Sequence, residues 1–169
     1  KIHVIYNMID FANFKNTSVN KAKALQNLNI DSNKRIIGFL GRFHEQKRPD
    51  LFVELASKMS TDDDYHFIIA GSGPMLEDLE DKMKGLTNLS YLGKTNQPEK
   101  ILPLFDIGVF PSRFEGYAVI SMECAYLGIP VIVPRINGFK EQIENGNFGK
   151  MYDIISDSKD VDQMKALIT

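Results

Sequence analysis

YHFIIAGSGPMLEDL, at residues 65–79, joins an apolar run to a helical pattern through a glycine-rich turn. The run at 65–70 is typical of a strand that is buried on both faces. The turn at 71–74 ends in a proline, which predicts a helix start because the missing N–H costs nothing in a first turn. Leu76 and Leu79 then recur at helical spacing. Such a strand–turn–helix unit is the repeating element of parallel sheets.

The same unit recurs along the chain, where apolar runs end in glycine or proline and helical spacing follows. We predict strands at 2–6, 35–40, 65–70, 89–92, 107–110, 131–133 and 149–152. We predict helices at 21–28, from Pro49, from Pro74, and at 98–105, 117–127, 138–144 and 161–168. Strands alternate with helices between residues 35 and 133. The predicted fold is therefore α/β, a doubly wound, Rossmann-like parallel sheet of about six strands.

Length and composition indicate one ordinary globular domain. The chain has 169 residues, of which 43% are hydrophobic and 25% are charged, so we expect a single domain over residues 1–169. The chain begins with Lys1 in a strand-like run, and it ends in an uncapped helical pattern at 161–168. We therefore expect a fragment of a longer protein whose final helix is truncated.

Charge and cysteine content exclude several classes of protein. The formal net charge is −2, whereas a general nucleic-acid binder usually has a basic excess. Cys124 is the single cysteine, so it is predicted to be a small buried residue in a reducing, cytoplasmic setting. No apolar run is long enough to cross a bilayer. His3, His44 and His66 are scattered, and their spacing predicts no metal site.

Glycine and polar residues cluster where the predicted strands end, at 41–42, 71–74, 93–94 and 112–116. In doubly wound sheets, ligands bind outside the carboxyl ends of the strands. The polar chemistry of the chain is therefore expected at that edge.

Two cations follow the strand at 35–40. Arg42 offers a planar fork and Lys47 a point charge, and together they can clamp a diphosphate. Taken alone, the two residues are better explained as solvated loop charges.

The turn Gly71-Ser72-Gly73-Pro74 is a second candidate. Glycines let a backbone approach a phosphate, and a helix N-terminus favours an anion. The alternative is a tight turn that only needs a positive φ. The turn lacks both the third glycine of the dinucleotide fingerprint and the Lys-Ser/Thr of a P-loop.

Glu115 and Glu123 form the third candidate. Their spacing of eight positions corresponds to roughly 12 Å along a helix, too far for the paired carboxylates of a glycosidase, which stand about 5–9.5 Å apart. The spacing suits two ends of one elongated ligand, with each carboxylate accepting hydroxyl hydrogen bonds from a sugar. Gly116, Tyr117 and Ala118 are expected to present free backbone N–H groups between them, at a helix start. The alternative for Glu123 is an exposed helix glutamate.

These motifs together resemble glycosyltransferase family 4, a retaining family with the GT-B fold, in its C-terminal domain. The segments that carry the resemblance are 6–10, Gly41-Arg42 with Lys47, 71–74, 111–117 with Glu123, 128–132 and 146–149. The chain departs from the family pattern at Met8, Tyr117, Ala118 and Cys124.

The resemblance implies a transferase of the hexosyltransferase type that uses a nucleoside diphosphate sugar without a metal or cofactor. In that reading Glu115 contacts the donor sugar, Glu123 contacts the ribose, and Arg42 and Lys47 neutralise the leaving diphosphate. The catalytic residues would be Arg42, Lys47 and Glu115. The donor-binding residues would be Gly41, Arg42, Lys47, Gly71, Ser72, Gly73, Thr95, Glu115, Gly116, Tyr117, Ala118 and Glu123.

The acceptor would bind to an N-terminal domain that is absent from the chain, so the isolated fragment is expected to be inactive. Surface polysaccharide synthesis in bacteria is the expected process, with the full-length protein in the cytoplasm or at the inner face of the membrane. The alternatives are a nucleotide-sugar epimerase or a phosphorylase of the same fold, and a non-catalytic nucleotide-binding or scaffold domain.

Overall fold

A computed structural model describes residue 3, residues 8–146 and residues 148–169. The strand predicted at 2–6 falls, apart from residue 3, outside the described residues. So do parts of the segments at 6–10 and 146–149 that carry the family resemblance.

Six parallel strands form one sheet in the order β3-β2-β1-β4-β5-β6. The strands are β1 (Arg35–Arg42), β2 (Tyr65–Ser72), β3 (Leu89–Tyr91), β4 (Ile107–Val109), β5 (Val131–Pro134) and β6 (Gly149–Tyr152). This order confirms the predicted doubly wound sheet. The chain first winds outward from β1 to β3 and then returns to the other side of β1 at β4. The carboxyl ends of β1 and β4 therefore flank the switch point at which such sheets bind ligands.

Helices connect the strands. In the described part of the chain they are α1 (Ala12–Asn16), α2 (Lys21–Asn27), α3 (Pro49–Lys58), α4 (Leu76–Met83), α5 (Pro98–Ile101), α6 (Val119–Tyr126), α7 (Asn137–Gly146) and α8 (Asp157–Ile168). The predicted crossover helix at 98–105 is split, because Pro103 cannot donate a helical hydrogen bond. Its second half is a 3₁₀ turn at Leu102–Leu104.

Three helix starts differ from the sequence-based predictions by two or more residues. The helix after β2 begins at Leu76 rather than Pro74, because β2 continues through Ser72. The helix predicted from residue 117 begins at Val119, because Ala118 is still extended and acts as its N-cap. The last helix begins four residues before Val161, where Asp160 accepts hydrogen bonds from the chain before α8. The first turn of α8 is polar, so it lacks the apolar spacing from which helix starts were predicted.

Helix α1 was not predicted. The Asp10 side chain accepts the Ala12 amide at 2.8 Å, which is the first amide of a helix of five residues that begins after Phe11. Its position depends on tertiary contacts, since Phe11 stacks on Tyr126 with ring centroids 4.3 Å apart. Such a contact leaves no local pattern in the sequence.

A cluster of buried phenylalanines packs β1, β2 and α3 together near the carboxyl edge of the sheet. Phe39 of β1 packs on Phe52 of α3 at 5.5 Å, and Phe52 packs on Phe67 of β2 at 5.6 Å. Phe43 joins Phe39 at 6.2 Å and is fully buried directly after Arg42. Burial of such side chains contributes about 1.5–3 kcal/mol each. The loop that follows β1 is thus anchored at its first residue.

Candidate active site at the carboxyl edge of the sheet

An open cavity of about 700 Å³ lies at the switch point between β1 and β4. All of the predicted site residues line it except Gly116 and Ala118. Those that do are Gly41, Arg42, Lys47, Gly71, Ser72, Gly73, Thr95, Glu115, Tyr117 and Glu123. Lys94 and Pro98 also contribute to its wall. The winding of the sheet therefore gathers residues from four separate loops into one concave surface.

Lys47 and Glu115 are ion-paired across the cavity. The Lys47 ammonium donates a hydrogen bond to the Glu115 carboxylate. The Glu115 side chain is only 7% exposed, so its charge depends on this cation for compensation. The sequence predicts that Lys47 forms a clamp with Arg42, whereas the structure pairs Lys47 with Glu115, the carboxylate expected to contact the donor sugar.

Arg42 has different surroundings. It is the last residue of β1, is exposed, and lines the cavity. Its guanidinium makes no hydrogen bond or ion pair with any residue that the structure describes, although its backbone pairs with β2. A guanidinium in that state can offer its fork of donors to an anion that enters the cavity.

Two backbone contacts hold the loops of Lys47 and Glu115 together. The Arg113 amide donates to the Gln46 carbonyl at 2.8 Å. The Gln46 side-chain amide donates to the Phe114 carbonyl at 3.1 Å. Gln46 precedes Lys47 and Phe114 precedes Glu115, so these contacts hold the backbone beside each member of the ion pair. The sequence gives no sign of the role of Gln46, because its partners lie 67 and 68 positions away.

Gly138 of α7 is a second residue that the sequence analysis did not connect to the site. A Cβ at this position would lie 2.2 Å from the Glu115 carbonyl oxygen and 2.7 Å from its carbonyl carbon. Only a residue without a side chain allows α7 to approach the Glu115 backbone this closely. The glycine therefore sets the distance between α7 and the loop after β4.

The Gly71–Gly73 turn packs against backbone. A Cβ at Gly71 would lie 1.9 Å from the Gly41 carbonyl oxygen, and one at Gly73 would lie 2.3 Å from that of Phe43. The Tyr91 hydroxyl donates to the Gly71 carbonyl at 3.0 Å. Close packing between the ends of β1 and β2 thus explains why both positions are glycine. The same packing keeps the turn at the cavity wall.

Glu123 lies half-buried on α6, in the cavity wall. Burial, followed by the nearby charge of Glu99, raises the pKa of Glu123 from an ordinary value of 4.5 to about 7. A carboxyl group with this pKa is partly protonated at neutral pH, so it can both donate and accept hydrogen bonds. Cys124, the next residue, is fully buried, as predicted, and burial raises the pKa of its thiol.

The start of α6 corrects the geometry predicted between the two glutamates. Because α6 begins at Val119, Gly116 and Tyr117 precede the helix, and the axial estimate for the glutamate spacing does not apply. Ala118 is buried, and its carbonyl accepts hydrogen bonds from Ser121 and Gln142 at 2.7 and 3.2 Å. The donors of the first helical turn begin at Val119, which lines the cavity.

The histidines serve local contacts. His66 Nε2 lies 2.9 Å from the Ser90 hydroxyl, and burial lowers the pKa of His66. His44 Nδ1 accepts the Gln46 amide at 3.2 Å. No group of three or more metal-ligating side chains is found within the described residues. Among the helices described, none is long and apolar enough to traverse a bilayer.

The structure is that of an α/β protein with a cavity at the sheet switch point. Residues 20–169 match the family of glycosyl transferases group 1, and the chain belongs to that family. The fold also matches that of GT-B glycosyltransferases. HepE of Anabaena in complex with UDP superposes with a TM-score of 0.80 at 18% identity, over 98% of this chain and 47% of that one.

Two relatives illustrate the range of the family. The UDP-Gal:alpha-D-GlcNAc-diphosphoundecaprenol alpha-1,3-galactosyltransferase of Escherichia coli is 31% identical over 153 residues, which are 86% of this chain and 39% of that protein. A structure of S. aureus TarM with UDP is 25% identical with a TM-score of 0.70, over 80% of this chain and 29% of that one. The chain spans less than half the length of these relatives.

Proposed function

We propose that the chain binds the donor for a retaining glycosyltransferase of family 4, which transfers a hexose from a nucleoside diphosphate sugar to an acceptor. The observation that carries the proposal is the meeting of Arg42, the Lys47–Glu115 ion pair and Glu123 in one cavity at the switch point. A cation whose side chain has no partner among the described residues, a shared cation and two carboxylates can together bind a diphosphate linked to two sugars.

The proposed roles follow from these surroundings. Arg42 binds the diphosphate directly, because its donors are available. Lys47 binds it as well while it remains near Glu115, whose carboxylate accepts hydroxyl hydrogen bonds from the donor sugar. As the bond between the sugar and the diphosphate breaks, negative charge grows on the leaving oxygen, and the two cations stabilise that charge.

The other end of the donor is assigned to Glu123, Lys94 and Thr95, which also line the cavity. Glu123 accepts hydroxyl hydrogen bonds from the ribose, and backbone near Lys94 and Thr95 contacts the base. The Thr95 hydroxyl accepts the Gln97 amide at 3.0 Å and keeps its own proton as a donor. The glycine turn at 71–73, with Gly41, forms the wall between the two ends. Gly116, Tyr117 and Ala118 remain proposed contacts, although Gly116 and Ala118 do not line the cavity.

Support for the donor class comes from the relatives. The galactosyltransferase of Escherichia coli carries UDP-Gal in its name, and the TarM structure contains UDP. UDP is therefore the first nucleotide to test. A mannosyltransferase of lipopolysaccharide core biosynthesis in Rhizobium meliloti, 30% identical, makes GDP the second.

The acceptor and the setting are part of the proposal. We propose that the acceptor binds to an N-terminal domain outside this chain, that residues 1–169 alone transfer no sugar, and that the full-length protein acts in surface polysaccharide synthesis. The proposed location is the cytoplasm or the inner face of the membrane. No observation favours an epimerase, a phosphorylase or a scaffold.

The test is a transfer assay on the natural full-length protein with UDP-, GDP- and ADP-sugars. We expect release of one nucleoside diphosphate that continues in EDTA, and an α-linked product from an α-linked donor in the NMR spectrum. Inversion at the anomeric carbon would refute the retaining mechanism. Failure to release any nucleoside diphosphate, with or without added acceptor lipid or sugar, would refute the transferase.

A further inference from the structure

Arg48, the residue after Lys47, has an unusual backbone and does not line the cavity. Its φ and ψ are 52° and 50°, in the left-handed region, which is uncommon for a residue with a side chain. The residue is only 6% exposed. A buried guanidinium in a strained turn, directly beside a proposed clamp residue, must be held by specific contacts.

Two carboxylates hold the Arg48 guanidinium. Its Nε donates to the Asp50 carboxylate at 3.0 Å, and its Nη2 donates to Asp50 at 2.8 Å. The same Nη2 lies 2.7 Å from an Asp157 oxygen. Asp50 belongs to the first turn of α3, whereas Asp157 is the first residue of α8. The hydrogen bond from Arg48 holds the pKa of Asp157 below its ordinary value.

The turn that Arg48 closes also aims Lys47. The amides of Lys47 and Arg48 both donate to the His44 carbonyl, at 2.8 and 3.2 Å. Lys47 leaves this turn toward Glu115, and Arg48 leaves it toward α8. The two side chains therefore share one backbone segment, and a change in the anchoring of Arg48 alters the direction of Lys47.

We infer that Arg48 is a positioning residue: through Asp157 it fixes the left-handed turn that aims Lys47 at the diphosphate, and it thereby couples α8 to the donor site. The inference rests on the proposed function, because it assigns Lys47 to the diphosphate. It adds α8, which does not line the cavity, to the elements that determine donor affinity.

The chain offers a matched control. At the other end of α3, Lys58 is ion-paired with Asp162 of α8, about 15 Å from Arg48 at the rise of an α-helix. Asp157→Ala and Asp162→Ala each remove one acidic partner of a cation that links α3 to α8. Only the first is connected to Lys47.

Calorimetric titrations of the natural full-length protein with UDP, GDP and ADP, each beside its own nucleoside, test the inference. We expect Asp157→Ala to weaken the nucleoside diphosphate about two- to fivefold, because the Asp157 carboxylate is 62% exposed and its ion pair is screened by solvent, and to leave the nucleoside unchanged. Asp162→Ala should leave both affinities at the wild-type value. Selective loss of the diphosphate is the readout that a merely structural role would not produce.

Substitutions of Arg48 itself separate the backbone strain of the left-handed turn from the loss of its ion pairs with Asp50 and Asp157. Glycine adopts the left-handed turn freely, so Arg48→Gly should be more stable to urea than Arg48→Ala. Both variants should lose diphosphate affinity to the same extent, because both lack the anchor. Arg48→Lys should not fully restore it, since an ammonium cannot reproduce the paired Nε and Nη2 hydrogen bonds to Asp50.

The outcomes are distinguishable. A wild-type protein that binds none of the three nucleoside diphosphates overturns both the proposed function and the inference. A wild-type protein that binds one of them, with an Asp157→Ala variant that keeps the wild-type ratio of diphosphate to nucleoside affinity, overturns the inference alone. Equal losses in Asp157→Ala and Asp162→Ala overturn it too.

Discussion

Glu115 and Glu123 line one cavity but have opposite electrostatic surroundings. Glu115 faces the Lys47 ammonium, whereas Glu123 lies near a second carboxylate, Glu99, and is half-buried. The first environment supports a negative charge, and the second opposes it. The two glutamates that the sequence presents as a pair are therefore chemically different groups.

The raised pKa of Glu123 predicts a pH-dependent stability. Between pH 4.5 and about 7 the folded protein retains a proton that the unfolded chain has lost, so the free energy of unfolding falls as the pH rises. Glu123→Gln abolishes this titration. Between pH 5 and pH 8 the free energy of unfolding of the variant, relative to that of the wild type, should rise by about 1 kcal/mol. This value is reduced because Glu123 is partly exposed. Urea unfolding at both pH values measures it; a constant difference between the proteins would contradict the assignment.

Removal of Lys47 should cost more than removal of the whole ion pair. In Lys47→Ala the nearly buried Glu115 carboxylate has no compensating cation, and we expect a loss of about 2 kcal/mol in the free energy of unfolding. Glu115→Gln in the same protein removes the orphan charge and should restore part of that loss. Chemical denaturation of both variants makes the comparison. A double variant less stable than Lys47→Ala would show that the contact is not electrostatic.

At the scale of elements, strands β1 to β5 were predicted closely because each is a largely apolar run that ends near a glycine or proline. Helix starts were less predictable, since Ala118 and Asp157 begin or cap helices without a local apolar signal. The Lys47–Glu115 contact joins residues 68 positions apart, and the strand order that brings their loops together is a property of the whole sheet. The left-handed turn at Arg48 likewise has no signature in a residue of that type.

The sequence therefore predicts at which edge of the sheet the candidate residues lie, but not which of them contact each other in the cavity. Strand ends located Arg42, Lys47 and the glycine turn correctly, because parallel strands present their carboxyl ends on one side. The contacts of Gln46 and Gly138 could not be predicted, as both depend on the packing of distant backbone. The binding roles of the site residues remain predictions.

Helix α7 and the loop after β4 provide an element-scale prediction. Gly138→Ala would place a Cβ 2.2 Å from the Glu115 carbonyl oxygen, and backbone cannot yield as a side chain can. We expect α7 to move away from the loop, with a loss of about 1–3 kcal/mol in stability. Gly116→Ala is the stability control, because nothing lies within 4 Å of its added Cβ. Equal thermal shifts for the two variants would contradict the packing argument.

At the scale of the whole molecule, the doubly wound sheet brings loops from both of its halves to one cavity. The first half supplies Arg42, Lys47 and the turn at 71–73, and the second supplies Glu115 and Glu123. Membership of the glycosyl transferases group 1 family is consistent with a donor site in this position. The chain covers 39% of its Escherichia coli relative, so transfer to an acceptor is proposed for the natural full-length protein.

The proposed donor site requires the cavity to bind a nucleoside diphosphate through Arg42. Calorimetric titration of UDP and of uridine into the wild type and Arg42→Ala tests it most directly, with GDP and ADP beside their nucleosides in parallel. A cation–phosphate hydrogen bond is lost only when phosphate is present, so the variant should bind the diphosphate roughly ten- to a hundredfold more weakly. Its affinity for the nucleoside should equal that of the wild type. Equal weakening of nucleoside and diphosphate, or no binding by the wild type, would contradict the account.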